Sequence, residues 1–529
     1  MRKSLFLLLI GLVLGTLLLS GCGQEQQPRA NKEDELILAL GAEPEDGFDP
    51  TTGWGRYGSP LFQSTLLRRN QDLGIEMDLA TEYSVSEDGM TWTVSLRDDV
   101  KFSDGLPLTA TDVVFTFTTT KQSSSVVDLS VLEKVDAIDA QTVQFTLSHP
   151  SSAFVALLVS TGIVPQHAYG PDYSQDPLGS GPYILRQWDK GQQIIVEANP
   201  EYYGKKPYFK RLTFLFLETD AAFAAAKTGQ LDIVAIPATL AEQNVEGMKL
   251  LHLESIDNRG IMFPYVPAGL ISSADHPIGN NVTADLALRQ AVNAAIDRSA
   301  LVEGALNGYG TPAHTVSEKM PWWNPETVMS DGDPAQAARI LADAGWEDVD
   351  EDGVLEKGNM KATFTLLYPA TDSSRQALAL AVSDMLKPVG IDVEVAGKSW
   401  DDIEKRMHAD AVLFGWGSYD PMEMYNLYSS QKAGIGMYNV GYYSNDVVDD
   451  YMEKALASTT EEEAMVYWQK AQWDGETGLS GRGDAPWAWL VNMGHLYLVN
   501  EKLELGPQKI QPHGHGWPIT DMIQNWHWQ

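Results

Sequence analysis

Two histidines stand two residues apart near the end of the chain, in Pro512-His513-Gly-His515-Gly-Trp517-Pro518. In a glycine-rich loop that spacing lets both imidazoles converge on one borderline metal ion, with exposed tail histidines as the alternative. A second cluster, Phe414-Gly-Trp416-Gly-Ser-Tyr419-Asp420-Pro421, flanks two aromatic residues with glycines. Trp416 and Tyr419 there either face a ligand or pack at a strand end. Arg259 carries a planar guanidinium fork that can hold a carboxylate through two parallel hydrogen bonds, or form a structural salt bridge with nearby Asp257. Asp348-Val-Asp350-Glu-Asp352-Gly353 opens like a calcium loop, yet its twelfth position is Asn359 where a bidentate Glu is required, which favours a solvated turn. His-Glu-x-x-His, Gly-x-Ser-x-Gly and Gly-x-x-x-x-Gly-Lys-Ser/Thr signatures are missing, so a binding protein is expected, with an exported hydrolase as the remote alternative.

The elements that must position these residues alternate between short apolar strands and amphipathic helices. Strands are predicted over 36–40, 91–96, 144–147, 192–196, 212–217 and 231–236, with helices over 109–118 and 220–228. The strand–helix–strand unit over 212–236 implies a mostly parallel sheet. A similar alternation returns with helices over 286–306, 334–344 and 373–386 and strands over 362–367, 391–395 and 411–414, which reads as a second α/β domain. Tyr57 lies in a Gly-, Pro- and acid-rich loop over 41–58 that follows the first strand. Open α/β sheets bind ligands at such strand ends, so Tyr57 is a contact candidate against simple loop packing.

At the start of the chain, Arg2 and Lys3 precede an uncharged apolar run over 5–19, the pattern of a secretory signal. Leu19-Ser20-Gly21-Cys22 resembles the bacterial lipobox, which makes Cys22, the single cysteine among 529 residues, the expected lipidation site. With one cysteine, no disulfide can form within the chain, and stability must come from the core. Seventy-two acidic residues against 37 basic ones give a formal charge of −35, which argues against nucleic acid as a partner and fits cationic ligands or plain solubility.

Further stretches resemble the family 5 extracellular solute-binding proteins. They are Trp92-Thr-Val-Ser-Leu-Arg97-Asp-Asp-Val-Lys-Phe-Ser-Asp104-Gly105-Leu-Pro-Leu-Thr-Ala-Thr-Asp112-Val-Val-Phe115, Gly179-Ser-Gly-Pro-Tyr183, Asn199-Pro-Glu-Tyr-Tyr203, Gly229-Gln-Leu-Asp232, and Leu288-Arg-Gln-Ala291 with Ala294-Ala-Ile-Asp297. Bottom-up, these are turn, cap and packing residues that mark a fold and do not touch a ligand.

The resemblance implies a two-lobed α/β periplasmic-binding fold of type II, cluster C. It would comprise a signal peptide over 1–21, a tether over 22–35, lobe I over 36–260 with an accessory subdomain near 60–180, lobe II over 261–495, and a return to lobe I over 496–529. Two hinge strands are expected within 257–267 and 487–498. It further implies a receptor, monomeric and lipid-anchored outside the cytoplasm, that passes a small solute to an ABC permease. In peptide receptors of this kind an acidic residue at the position of Asp420 takes the α-ammonium. In nickel-chelate receptors an arginine near the position of Arg406 faces ligand carboxylates. Their Trp-Gly-x-x-Tyr-Asp-Pro pattern is one residue longer than the pattern here. The preferred ligand on this reading is nickel or a nickel chelate, with an oligopeptide or dipeptide as the alternative. No resident cofactor is expected, since nickel would be cargo.

Overall fold

The computed structural model describes residues 33–124, 126–514 and 516–529. Cys22, the signal segment, all of the tether before residue 33, and His515 lie outside the described residues. No helix among the described residues is long and apolar enough to cross a membrane.

Glu35–Ala39 forms the centre of a seven-stranded sheet, where Leu36 and Leu38 are buried. Arg211–Leu215 and Ile233–Ile236 flank it in parallel, joined by the helix Thr219–Lys227. The hairpin Tyr183–Asp189 and Gln193–Ala198 extends one edge, and His495–Asn500 with Met248–Leu253 extends the other. A second sheet of six strands runs in the order Gly310–Pro312, Trp487–Met493, Asn258–Met262, Ala411–Trp416, Thr363–Pro369 and Asp392–Lys398. Its last three strands are mutually parallel and carry the helix Ser373–Leu386. These sheets are the two lobes of a mixed α/β fold.

A smaller antiparallel sheet is inserted in sequence between the first two strands of the seven-stranded sheet, Glu35–Ala39 and Tyr183–Asp189, in the order Ala80–Val85, Thr91–Leu96, Thr142–Leu147 and Leu132–Ala137. Thr91–Leu96 alternates, with Trp92, Val94 and Leu96 buried in one cluster with Val113 and Phe117 of the helix Ala110–Ser123. That helix begins where the Thr-Ala-Thr-Asp motif places its cap: Thr109 N–H donates to the Asp112 carboxylate at 2.9 Å. The turn before it uses Gly105 at φ 89°, a conformation that favours glycine.

The chain passes from the first sheet to the second over residues 254–257 and returns at Gly494. The first passage therefore precedes the apolar run expected to be the hinge, because Asn258–Met262 already pairs on both sides within the second sheet. The two passages are bonded side by side: Met493 N–H donates to Asp257 O at 2.8 Å and Ser255 Oγ to Met493 O at 2.5 Å. The tail joins them as a third segment, with Ile256 N–H donating to Gln511 O and Gln511 N–H to Glu254 O, both at 2.8 Å.

The single helix predicted over 286–306 is two helices, Leu286–Ala295 and Arg298–Leu306. Asp297 breaks it by turning to an extended conformation and accepting the Ala300 N–H at 2.8 Å. Arg298 is almost fully buried and donates to the backbone carbonyls of Ala313 and Trp489. Asp297→Ala removes this cap and is expected to lower stability by about 1 kcal/mol. Urea titration of the purified protein measures the loss, and an unchanged midpoint would rule the cap unimportant.

Candidate ligand-binding cleft

Ala411–Trp416 ends at the C-terminal edge of the parallel strands, where open α/β sheets leave a crevice. Gly417 follows at φ 146°, and a Cβ there would stand 2.2 Å from the Ile256 carbonyl oxygen, so only glycine fits between the strand end and the interlobe passage. The chain then turns through Ser418–Pro421 into the helix Met422–Tyr428. Glu423, in the first turn of that helix, accepts the N–H groups of Gly417 at 3.1 Å and Ser418 at 3.0 Å and so fixes the turn. Trp416 N–H donates to Asn258 Oδ1 at 3.1 Å, which ties the same turn to the neighbouring strand.

This turn forms one wall of a cavity of about 1280 Å³. Opposite it are the loop over 55–60 and the strand–turn segment over 63–78 of the first lobe. Residues 126–131 and 149–160 of the accessory subdomain and Lys509, Asp521, Met522 and Gln524 of the tail complete the enclosure. The volume exceeds the roughly 300–1,000 Å³ of ordinary small-molecule clefts.

Asp420 faces this space. One carboxylate oxygen accepts Met422 N–H at 2.9 Å, and among the described residues no side-chain cation hydrogen-bonds it. Burial pushes its pKa up to about 6, against the opposing pull of that N–H and the Arg69 guanidinium. Glu423 is likewise driven up by burial, to about 7, although two backbone N–H groups favour its charge. Arg69, close enough to influence Asp420, donates to the carbonyls of Leu73 and Tyr419, both at 2.8 Å. Three further polar atoms of the cavity-lining residues are buried without a partner: Trp416 Nε1, Asn426 Oδ1 and Gln63 Oε1.

The residues singled out in the sequence separate into two groups. Tyr57, Trp416, Tyr419 and Asp420 all border the cavity. Tyr57 lies under the Arg56 guanidinium at 4.8 Å, and burial raises its phenol to about 12. Trp416 has Tyr438 as its ring neighbour, 6.3 Å between centroids. The Tyr419 hydroxyl instead donates to the Ile510 carbonyl, so that ring acts as a strut between the second lobe and the tail.

Arg259, Arg406 and His513 do not border the cavity. Arg406 lies four residues before Asp410 and bonds it at 2.6 Å in a half-buried position, so the group opposite its guanidinium is a local carboxylate. Arg259 bonds Asp257 at 2.5 Å, the salt-bridge alternative. His513 Nδ1 also bonds Asp257, at 2.6 Å. His495 adds a third contact at 3.3 Å. Arg259, His513 and His495 together hold the Asp257 carboxyl well below its ordinary range despite its burial. Among the described residues, the one group able to share an ion is Asp348, Asp350 and Glu356, and the Lys361 ammonium already sits there, 3.6 Å from Asp350 and 3.5 Å from Glu356.

Sequence reading did not single out Glu423, Arg69 or Tyr438. An acid in the first turn of a helix is ordinary dipole chemistry, so Glu423 carried no signal of its own. Arg69 and Tyr438 reach the site only through the folding of distant segments.

The residues over 74–436 match the family profile described as bacterial extracellular solute-binding proteins, family 5 Middle. Protein XP55 of Streptomyces lividans is 34% identical over 484 residues, covering 89% of this chain and 85% of that protein. The oligopeptide-binding protein AppA of Bacillus subtilis is 26% identical over 496 residues, covering 86% of this chain and 88% of its own. Among solved structures, NikZ from Campylobacter jejuni in complex with Ni(L-His) superposes with a TM-score of 0.77 at 26% identity, covering 94% of this chain and 100% of that one.

Asp257 supplies the prediction for this region. Asp257→Ala leaves the Arg259 guanidinium buried without a counter-charge and two histidines without their hydrogen-bond partner, and a loss of about 3–5 kcal/mol is expected. Because the Asp257 pKa is depressed, its contribution in the parent is present above the ordinary carboxylate value and fades as pH falls below about 4 toward the lower folded value. The gap between thermal melts of parent and variant should begin to narrow as pH is lowered from 7 to 3; a gap that stays constant to the acid end would contradict the assignment.

Proposed function

The chain belongs to the bacterial extracellular solute-binding proteins of family 5, and on that premise we propose that it captures a short peptide with a free ammonium group and delivers it to the permease of an ABC importer. The observation that carries this reading is Asp420, a cavity-facing carboxylate raised to about 6 and hydrogen-bonded by no cationic side chain. An incoming ammonium supplies the missing charge in a desolvated cleft. Glu423, raised to about 7 beside it, adds to the negative potential. The cavity volume and the mixture of polar and apolar residues along its wall also suit a peptide chain. The likeness to NikZ with Ni(L-His) favours a nickel–histidine chelate as the second reading. Against it stand Arg406 and His513, each bonded to a carboxylate away from the cavity.

The lipid anchor through Cys22 is part of the same proposal, holding the receptor at the outer face of the cell membrane beside its permease. Cys22→Ser is expected to move the protein from the membrane fraction to the soluble exported fraction. Retention after a carbonate wash would refute the anchor.

Calorimetric titration against tetra-alanine, its N-acetylated form and a nickel–histidine complex tests the ligand. Asp420→Asn should weaken tetra-alanine binding by about 2–5 kcal/mol, and acetylation of the parent's ligand should do the same. Affinity should fall as pH drops from 8 to 5, because both raised carboxyls take up protons across that window and lose the charge that meets the ammonium. The stability of the empty protein runs the other way. A raised carboxyl stabilises below its unfolded value and loses that contribution as pH rises through the folded one, so Asp420→Asn should stabilise the empty protein at pH 8 and not at pH 4. Tight binding of the nickel complex with none of the peptide would transfer the assignment to the second reading.

A further inference from the structure

The accessory subdomain is bonded mainly to the first lobe, and its contacts there are extensive. Tyr169 Oη donates to Asp49 at 2.8 Å, and Phe48 N–H to Ser174 O at 2.7 Å. Toward the second lobe, among the described residues, it hydrogen-bonds across the cleft through Ser152. Ser152 N–H donates to the Leu456 carbonyl and Ser152 Oγ to the Ala455 carbonyl, both at 2.8 Å. Those carbonyls belong to the last turn of the second-lobe helix Asp446–Ala457, where a helix runs short of donors of its own. Nearby, Lys432 of the second lobe lies 3.5 Å from Asp128 of the subdomain.

Apolar contacts accompany the polar ones. Ala153, and Leu73 from the adjoining first-lobe turn, are buried in the same cluster as Met424, Leu456 and Trp468 of the second lobe. Leu73 holds φ 65°, a left-handed conformation that is strained for a leucine and persists only when its surroundings enforce it. Asp128, Ser151, Ala153, Lys432, Leu456 and Ala457 also line the cavity, so this junction is one of its walls.

We propose that the accessory subdomain is the latch of the cleft, with Ser152 capping the second-lobe helix Asp446–Ala457 when the lobes are together and releasing it when they part. The lobes are joined at residues 254–257, at Gly494 and by the tail, so rotation there separates Ser152 from Ala455 and Leu456 while its first-lobe contacts move with it. Release leaves the Leu456 carbonyl to water and Ala455 O with the Ser458 N–H at 3.3 Å, and it uncovers Leu73 and Ala153. The cap therefore adds to the closed state alone, and it slows ligand departure without affecting arrival.

The test needs no knowledge of the natural ligand. Glu133→Cys and Glu462→Cys in a Cys22→Ser background place labels on the subdomain and on the second lobe, and their distance distribution reports closure in the ligand-free protein. Ser152→Ala should shift that distribution to longer distances and raise the dissociation rate of tetra-alanine about five-fold, the effect of one net hydrogen bond, with the association rate unchanged. Ser152→Thr, which keeps the hydroxyl, should restore both. Identical distances in parent and Ser152→Ala overturn the latch. If the parent does not bind tetra-alanine, the peptide reading fails by itself and the distance distributions alone decide the latch.

Discussion

Asp257 takes an ionised carboxylate out of water at the point where the chain passes between the lobes, and such burial costs several kcal/mol unless the charge is matched. It is matched from three directions: Arg259 from the next strand, His495 from the return passage, and His513 from the tail. The same residue gives its carbonyl to Met493 N–H, so both its backbone and its side chain hold the two passages together. The tail is positioned by this arrangement. His513 N–H bonds Gly417 O at 2.7 Å, and Gly417 is the residue that starts the cavity-lining turn. The geometry of the cleft thus descends from a charge cluster just behind it.

The cleft itself is built on the opposite principle. Asp420 and Glu423 are carboxylates whose ionised forms the surroundings do not fully support, and both pKa values rise. Glu423 at least satisfies two backbone N–H groups; Asp420 satisfies one and turns its remaining capacity toward open space. A protein selected for stability alone would place a cation there, as it does at Asp257. Leaving the charge incomplete weakens the empty state and reserves the interaction for an arriving ligand, the usual exchange of stability for function at a binding site.

Local chemistry was legible in the sequence wherever a few adjacent residues decide it. The cap at Thr109–Asp112, the turn at Gly105 and the strand–helix alternation follow from propensity and pattern, and they carried the fold class. The helix break at Asp297 was not legible, because the apolar periodicity continues on both sides of it. Partnerships were not legible. His513 and His515 have a spacing that suits a metal, yet the group that meets His513 is a carboxylate 256 residues earlier. Trp416 and Tyr419 look like a pair in sequence. In space the intervening turn sends Tyr419 to the tail and leaves Trp416 beside Tyr438. The Ser152 cap spans 303 residues between two segments with no distinguishing motif, and nothing short of tertiary structure joins them.

The lining of the cavity constrains what can fill it. Its polar groups come from both lobes, the accessory subdomain and the tail, among them Arg56, Asp128, Asp420, Tyr438 and Lys509. A ligand that displaces water from such a surface without offering both donors and acceptors leaves polar groups unsatisfied, at about 1–3 kcal/mol each. Simple inorganic ions and hydrocarbons fail that condition. A main-chain amide meets it at every residue, because each carries one N–H and one C=O regardless of its side chain. Recognition through such groups, with an ammonium fixed at Asp420, sets the direction and register of a bound chain while leaving its side chains to the apolar and aromatic wall between the accessory subdomain and the second lobe.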